Sequence, residues 1–177
     1  MTDIIKVNIV SLFLLVFSSS SYAQKKIISH KDLKIEMIEP GMLIQNNDLD
    51  KFVGKYFWEE GDQKLVVEFS ETEAPTRMGG MQVFIQMLMA EYKILRDGKN
   101  VPVDDKKFAL MGGTSDDGKK VIFYVSNNKP LSSVQINLIY LDRDSLSLQK
   151  DKTSGDFNET DKNLFLLPLG IILKRIK

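Results

Sequence analysis

Few side chains in this protein have the type and spacing that catalysis requires. The 177 residues include no cysteine and one histidine, His30. A thiolate nucleophile and a cysteine-bound metal are therefore excluded, and a catalytic triad or a general base would have to be built on His30. Because His30 lies among lysines in an N-terminal segment that we expect to be loosely ordered, we assign it no catalytic role. No catalytic residue is predicted in the chain.

Four methionines lie close together, and their thioethers are soft ligands of the kind that Cu(I) accepts. They are Met78, Met81, Met87 and Met89. On an extended strand the last three share one face, but no histidine or cysteine is near them in sequence to complete a site. Methionine also commonly fills gaps in apolar cores. Packing is the favoured interpretation, and no metal site is predicted.

The acidic residues offer oxygen ligands without an arrangement that is specific to a metal or a reaction. Asp104-Asp105 and Asp116-Asp117-Gly118 lack the alternating spacing and the distal glutamate of a calcium loop, and turn formation explains both. Gly79-Gly80 and Gly112-Gly113 lack the Lys-Ser/Thr pair of a phosphate-binding loop. A hydrolase with two carboxylates stays open, because 24 acidic residues allow many pairs. No cofactor is predicted.

The elements that would position side chains are short strands joined by tight turns. Residues 52–60 and 63–70 read as two strands, and Gly61-Asp62 between them suits a type II′ hairpin turn, which has glycine at its first central position. Residues 71–80 contain Pro75 and end in two glycines, so we expect a loop there.

Residues 81–95 fit both a helix face and a strand face. We choose a strand over residues 84–95, because Asp97-Gly98 directly after it is a strong hairpin signal. The polar residues change face along this segment, so the strand would need a β-bulge near Met89-Ala90.

The pattern as a whole predicts an all-β fold. Short strands with turn signals every few residues are typical of a sandwich or a barrel. Because each strand leads directly to the next, we expect a single antiparallel meander that closes into an up-and-down barrel, with a β-sandwich as the alternative. By length, residues 24–177 are one domain.

The first 23 residues have the order of a secretory signal peptide. A short charged start precedes an apolar run over residues 7–17, which is too short to span a hydrocarbon core that needs about 20 residues. Ser21 and Ala23 then place small side chains where signal peptidase requires them. We expect cleavage before Gln24 and export to the periplasm or the medium, and the absence of cysteine favours a bacterial periplasm or medium.

The charge balance excludes some classes of partner. Lys plus Arg and Asp plus Glu both number 24, so the chain has no general attraction to nucleic acid or anionic lipid. After residue 23 no apolar run is long and free enough of charge to span a membrane. We therefore predict a soluble protein with no nucleic-acid partner and no transmembrane segment after cleavage.

Three stretches of the sequence resemble a family of exported Bacteroidota proteins that is known only as a domain of unknown function. They are residues 52–58, similar to the family's Gly-x-Trp strand, residues 88–98, similar to its Gly-Glu-Tyr strand and turn, and the closing residues 167–174. Tyr56 stands where the tryptophan is usual, and Ala90 replaces a glycine. The Gly-x-Trp opening is also similar to that of lipocalins, which implies a barrel by analogy.

Gly54, Tyr56 and Trp58 share a face of the first predicted strand and are the predicted ligand-binding residues. A glycine inside a strand marks a bend or the close approach of another group. Trp58, the lone tryptophan, would either pack in the core or close one end of a barrel near a ligand. The predicted function is a binding module for an apolar small molecule. The alternative is a structural or interaction protein with a filled core, and a hydrolase is the third and least favoured function.

Overall fold

The computed structural model describes residues 25–101, 110–115, 117–125, 135–151 and 167–177. These residues form eleven strands and three short 3-10 turns, and none of their helices is long and apolar enough to cross a membrane. In chain order the strands are β1 Ile27–Ser29, β2 Leu43–Gln45, β3 Gly54–Glu60, β4 Gln63–Met78, β5 Met81–Arg96, β6 Lys99–Val101, β7 Leu110–Thr114, β8 Lys120–Val125, β9 Gln135–Asp142, β10 Ser145–Lys150 and β11 Ile171–Arg175. The 3-10 turns are His30–Asp32, Ile35–Met37 and Asp50–Phe52. The predicted signal peptide, Asp104-Asp105 and Asp116 lie outside the described residues.

Eight of these strands close into an antiparallel barrel in the order β3-β4-β5-β7-β8-β9-β10-β11, and β11 pairs back onto β3. The order around the barrel is the order along the chain, apart from β6, whose one partner among the described strands is the end of β5. The predicted all-β, up-and-down barrel is therefore confirmed. The sandwich alternative is wrong, since the sheet closes on itself through the β5–β7 and β11–β3 pairs.

The β4–β5 hairpin is much longer than the barrel is tall. Each of its strands has 16 residues, but the part of β4 that pairs with β3 ends at Phe69. Residues 71–78 of β4 and 81–87 of β5 therefore extend past the barrel, and we call this extension the arm. β2 pairs in parallel with β5 at Phe84 and Ile85, and β1 pairs in parallel with β2.

The expectation of a loop over residues 71–80 is wrong, because β4 continues to Met78 and only Gly79-Gly80 form the turn. Pro75 lies opposite Phe84, whose backbone N–H donates to the carbonyl of Met42, just before β2, and so points away from β4. The Pro75–Phe84 pair therefore exchanges no hydrogen bond, and the missing N–H of the proline faces the free edge of β4. This is the strand position in which proline is tolerated.

The expected β-bulge near Met89-Ala90 is also wrong, since the β4–β5 register is unbroken from one end to the other. The side of β5 that is buried changes instead. Within the barrel Leu88 and Ala90 point into the core, whereas in the arm Val83 and Ile85 are covered on the opposite face. A straight strand that packs against different partners on its two faces produces the same sequence pattern as a bulge.

The covering layer of the arm is the N-terminal segment, residues 25–52. Met42 and Ile44 pack against Val83 in a small second core, and Leu33 and Ile38 pack around it. The expectation that this segment is loosely ordered is therefore wrong, because the arm presents an apolar face that the segment buries.

Candidate functional site

The barrel has two different ends. Leu49 and Phe52, which precede β3, are fully buried in the main core and cover one of them, the covered end. At the opposite end the turns Gly61-Asp62 and Asp97-Gly98 lie side by side, and the Asp97 N–H donates to the Asp62 carbonyl at 3.1 Å. We call this the hairpin end.

Inward-facing side chains form three cross-strand rows between the two ends. From the covered end to the hairpin end the rows are Gly54–Phe69–Ala90–Leu110, Tyr56–Val67–Tyr92 and Trp58–Leu65–Ile94–Val101. The first row is buried apart from its glycine, whereas the second contains the half-buried Tyr92 and the third contains the half-buried Trp58 and Val101. Within these three rows, partial exposure of the apolar side chains therefore increases towards the hairpin end.

The covered end is held together by one guanidinium group. Arg175, near the end of β11, donates from Nη1 to the Val53 carbonyl at 2.8 Å and from Nε to the Arg143 carbonyl at 2.9 Å. Its Nη2 donates to the hydroxyl of Tyr56, and its Cζ lies 4.7 Å from the centre of the Tyr56 ring. A Cβ added at Gly54 would collide with Nη1 of Arg175. Gly54 is therefore the position at which the guanidinium crosses the first strand of the barrel.

Tyr56 is fully buried beneath this contact. Its ring packs edge-on against Phe69, with centroids 5.7 Å apart. Burial raises the pKa of the Tyr56 hydroxyl, against the opposing effect of the Arg175 charge. The ring is thus a neutral core group whose polar atom is satisfied by an arginine, as a buried tyrosine requires.

The predicted ligand-binding residues consequently occupy three depths of one interior. Gly54 lies at the covered end, Tyr56 is sealed below Arg175, and Trp58 is half-buried in the row at the hairpin end. Of the three, only Trp58 is in a position to meet a molecule that enters from the hairpin end, and a ligand role for it stays a prediction. The sequence analysis named neither Arg175 nor Val101. The one signal that pointed to Arg175 was Gly54, a glycine inside a strand that marks the close approach of another group.

Leu169 lies at the hairpin end of the barrel. It lies just before β11 and is half-buried against the main core, and the next residue, Gly170, donates its N–H to Leu148 of β10 at 2.8 Å. With Trp58, Tyr92 and Val101 it completes a set of four partly exposed apolar side chains, which we call the apolar rim.

Next to His30, Lys31 and Asp48 form an ion pair within the N-terminal segment. The Lys31 ammonium lies 2.8 Å from the Asp48 carboxylate, and this interaction holds the pKa of Asp48 below its usual range. Gly118, in the turn after β7, presents its backbone to the same carboxylate, because an added Cβ would lie 2.8 Å from it. His30 has one buried ring nitrogen, Nδ1, without a hydrogen-bond partner.

Two carboxyl groups meet where the arm joins the barrel. Glu71 is hydrogen-bonded to Asp50, and partial desolvation of its carboxyl group and this neighbouring acid raise its pKa. Gln86 donates to Glu71 and accepts from the Asn46 N–H at 2.8 Å. Carboxyl groups in direct hydrogen-bond contact are closer than the 5–9.5 Å or so that glycoside hydrolysis needs between its two acids. The pair therefore lacks the geometry of that reaction.

Two further features complete the chemistry of the described residues. Among them, no group of three or more His, Cys, Asp or Glu side chains is placed to hold a metal ion. A surface pocket of about 310 Å³ lies between the turns of the hairpin end, lined by Glu59, Gly61, Asp62, Gln63, Lys64, Leu95, Asp97 and Gly98. Glu59 and Leu95 belong to the outward faces of their strands, so this pocket is outside the barrel interior.

Comparison with known proteins places the chain in a family and adds no activity. No curated protein and no solved structure matches it. Residues 5–172 match DUF6705, a family of unknown function, and the chain belongs to that family.

Proposed function

We propose that this protein is an exported binding module that holds an apolar small molecule at the hairpin end of its barrel. The observation that carries the proposal is the apolar rim. Trp58, Tyr92 and Val101 face inward at this end and are only partly buried, while the covered end is sealed by Leu49 and Phe52. Partly exposed apolar and aromatic side chains are the usual lining of a small-molecule site.

Export is part of this proposal and is supported by the order of features in residues 1–23. N-terminal mass mapping of the protein released by its own host tests it. A mature chain that begins at Gln24 supports export by signal cleavage, and a released product that retains Met1 contradicts it.

Trp58 makes the binding site directly testable, because it is the only tryptophan in the chain. We expect the amphiphilic fluorophore 1-anilinonaphthalene-8-sulfonate, whose aromatic part is apolar, to bind with saturation and to quench Trp58 emission. Val101→Asp should weaken binding by placing an unpaired charge in the rim. The matched control is Ile172→Asp on the outer face of β11, where the isoleucine is half-exposed and the change should leave binding unaltered.

The contrary results are equally clear. Absence of saturable binding, or equal loss in Val101→Asp and Ile172→Asp, would contradict a site at the hairpin end. If the probe does bind, native mass spectrometry of the protein purified from its own host identifies the natural ligand class as a co-purifying small molecule.

The second candidate function is protein interaction, and one observation favours it. Within the described residues, β4 pairs on only one side over residues 71–78, so the arm presents a free strand edge. Such an edge can accept a strand from another protein. Pro75 interrupts its hydrogen-bonding groups, and we therefore rank this function second.

A further inference from the structure

We propose that the outer face of the barrel binds Cu(I) through the thioethers of Met87, Met89 and Met111. Two of these methionines lie two residues apart on β5, and the fold brings the third, on β7, directly opposite Met89. The site is separate from the apolar rim, so the proposal does not depend on the proposed function.

All three side chains point outward. On β5, Leu88 and Ala90 face the core, which directs Met87 and Met89 to the outside. On β7, the buried positions Leu110 and Gly112 flank Met111, whose side chain is 39% exposed. None of the three methionines belongs to either described core cluster. They therefore fill no gap in an apolar core, which is the ordinary reason for a methionine in a strand.

The backbone pairing places Met89 and Met111 at close range. The N–H of Phe84 points away from β4, and alternate residues of a strand direct their backbone hydrogen bonds to the same side. The even-numbered residues of β5 therefore direct theirs to the side on which β7 lies. Leu88 and Ala90 therefore bond to β7, and the intervening Met89–Met111 pair is a non-hydrogen-bonded one. In such pairs the Cβ atoms are about 4.5–5.5 Å apart, close enough for both sulfur atoms to contact one ion.

Gly113 leaves room for the third ligand. It lies one residue beyond the last β5–β7 pair, Leu88–Gly112, and continuation of the same register places it opposite Met87; a Cβ added there would meet no atom within 4 Å. On the other side, β4 presents Thr72 opposite Met87 and Ser70 opposite Met89, so no cationic side chain is among these cross-strand neighbours. The flexible thioether of Met87 can consequently reach towards the Met89–Met111 pair across open space.

The chemistry of this group selects a soft cation. Thioether sulfur is a poor ligand for calcium or magnesium and a good one for Cu(I). The chain contains no cysteine and a single histidine, so it holds no stronger soft-metal site that would compete for the ion. Three neutral sulfur ligands also bind without proton release, and the affinity should vary little with pH across the neutral range.

The test is a competition for Cu(I) against the chelator bicinchoninate, under anaerobic conditions with ascorbate. We expect the protein to withdraw one Cu(I) per chain. Met89→Leu and Met111→Leu should each weaken binding by at least about tenfold, since each removes a direct ligand. Met81→Leu, on the same strand but at the tip of the arm, is the matched control and should bind like the original protein.

Leucine preserves the volume and apolarity of methionine, so the variants should fold, and thermal melting of each verifies this. Met111→Leu keeps the test valid if Met89→Leu fails to fold, because Met111 is the most exposed of the three methionines. X-ray absorption at the copper edge should show sulfur ligands only. No withdrawal of Cu(I), equal weakening in Met81→Leu, or a nitrogen ligand that disappears in His30→Ala would each overturn the proposal.

Discussion

Arg175 shows how one side chain fixes several parts of the chain. Its guanidinium bonds to the carbonyls of Val53 and Arg143 and to the hydroxyl of Tyr56, and so connects β11, the entry to β3 and the β9–β10 turn. Planar, multiple donation of this kind is specific to arginine. The contact requires a residue without a side chain at position 54, which explains why a glycine interrupts an otherwise apolar strand face.

Gly54→Ala should lower the free energy of unfolding by about 2–4 kcal/mol, because the backbone there has a φ of +137° and the new Cβ collides with Arg175. Gly113→Ala is the control, since an added Cβ at that position meets open space. Urea unfolding of both variants gives the comparison. Equal stability of the two variants would show that the guanidinium does not need the space above Gly54.

Trp58→Ala should cost about 1–2 kcal/mol, less than the 3–5 kcal/mol or so lost when a fully buried aromatic ring is removed, because Trp58 is only half-buried. Phe69→Ala provides the reference for a buried ring in the same interior, as Phe69 is 2% exposed. Chemical unfolding compares the two variants. A loss for Trp58→Ala as large as that for Phe69→Ala would place the tryptophan in the core and weaken the case for an apolar rim.

At the scale of the element, the hairpins were predictable and their lengths were not. Gly61-Asp62 and Asp97-Gly98 are local turn signals, and the structure has a turn at each of them, with a positive φ at Gly61. The length of β4 is set by its pairing with β5, which continues beyond Phe69 where the pairing with β3 has ended. A local sequence pattern carries no information about this pairing. Likewise, Val83 and Ile85 face a covering layer that comes from a segment about 40 residues earlier in the chain.

The free edge of the arm leads to a prediction about association. Pro75→Thr restores a backbone N–H on the unpaired side of β4 and adds a residue with high strand propensity. We expect the variant to form dimers or larger species whose fraction increases with concentration, measured by size exclusion with light scattering. Thr76→Val is the control, because residue 76 directs its hydrogen bonds to β5. A monomeric Pro75→Thr protein would show that the edge is protected by something other than the proline.

At the scale of the whole molecule, the N-terminal segment joins the arm to the barrel. Asn46 donates its N–H to Gln86 on β5 at 2.8 Å and its side-chain amide to Thr114 on β7 at 2.7 Å. Gln86 in turn bonds to Glu71 on β4. These contacts connect residues up to 68 positions apart, which is why the meander could be predicted from local signals and this junction could not.

The ionisable groups of this junction predict two separate effects of pH on stability. Glu71 has a pKa above its ordinary 4.5, because its carboxyl group is partly desolvated and hydrogen-bonded to Asp50. The folded protein therefore retains a proton that the unfolded chain releases, and stability falls as pH rises from 4.5 through the raised pKa. Asp48 has a pKa below its ordinary 3.8, so its contribution is present above pH 3.8 and is lost as pH falls through the lowered pKa.

Glu71→Gln should therefore abolish the fall in stability above pH 4.5 and leave the loss in acid unchanged, because glutamine keeps an oxygen for Gln86 and gains an amide donor for Asp50. Asp48→Asn should do the reverse and reduce the acid loss alone. Urea midpoints measured from pH 3 to pH 8 separate the two windows, and Glu91→Gln, an exposed change on the neighbouring strand, is the control. If Glu71→Gln follows the same pH profile as the original protein, the two carboxyl groups do not share a proton in the folded state, and the junction is held by Asn46 and Gln86 alone.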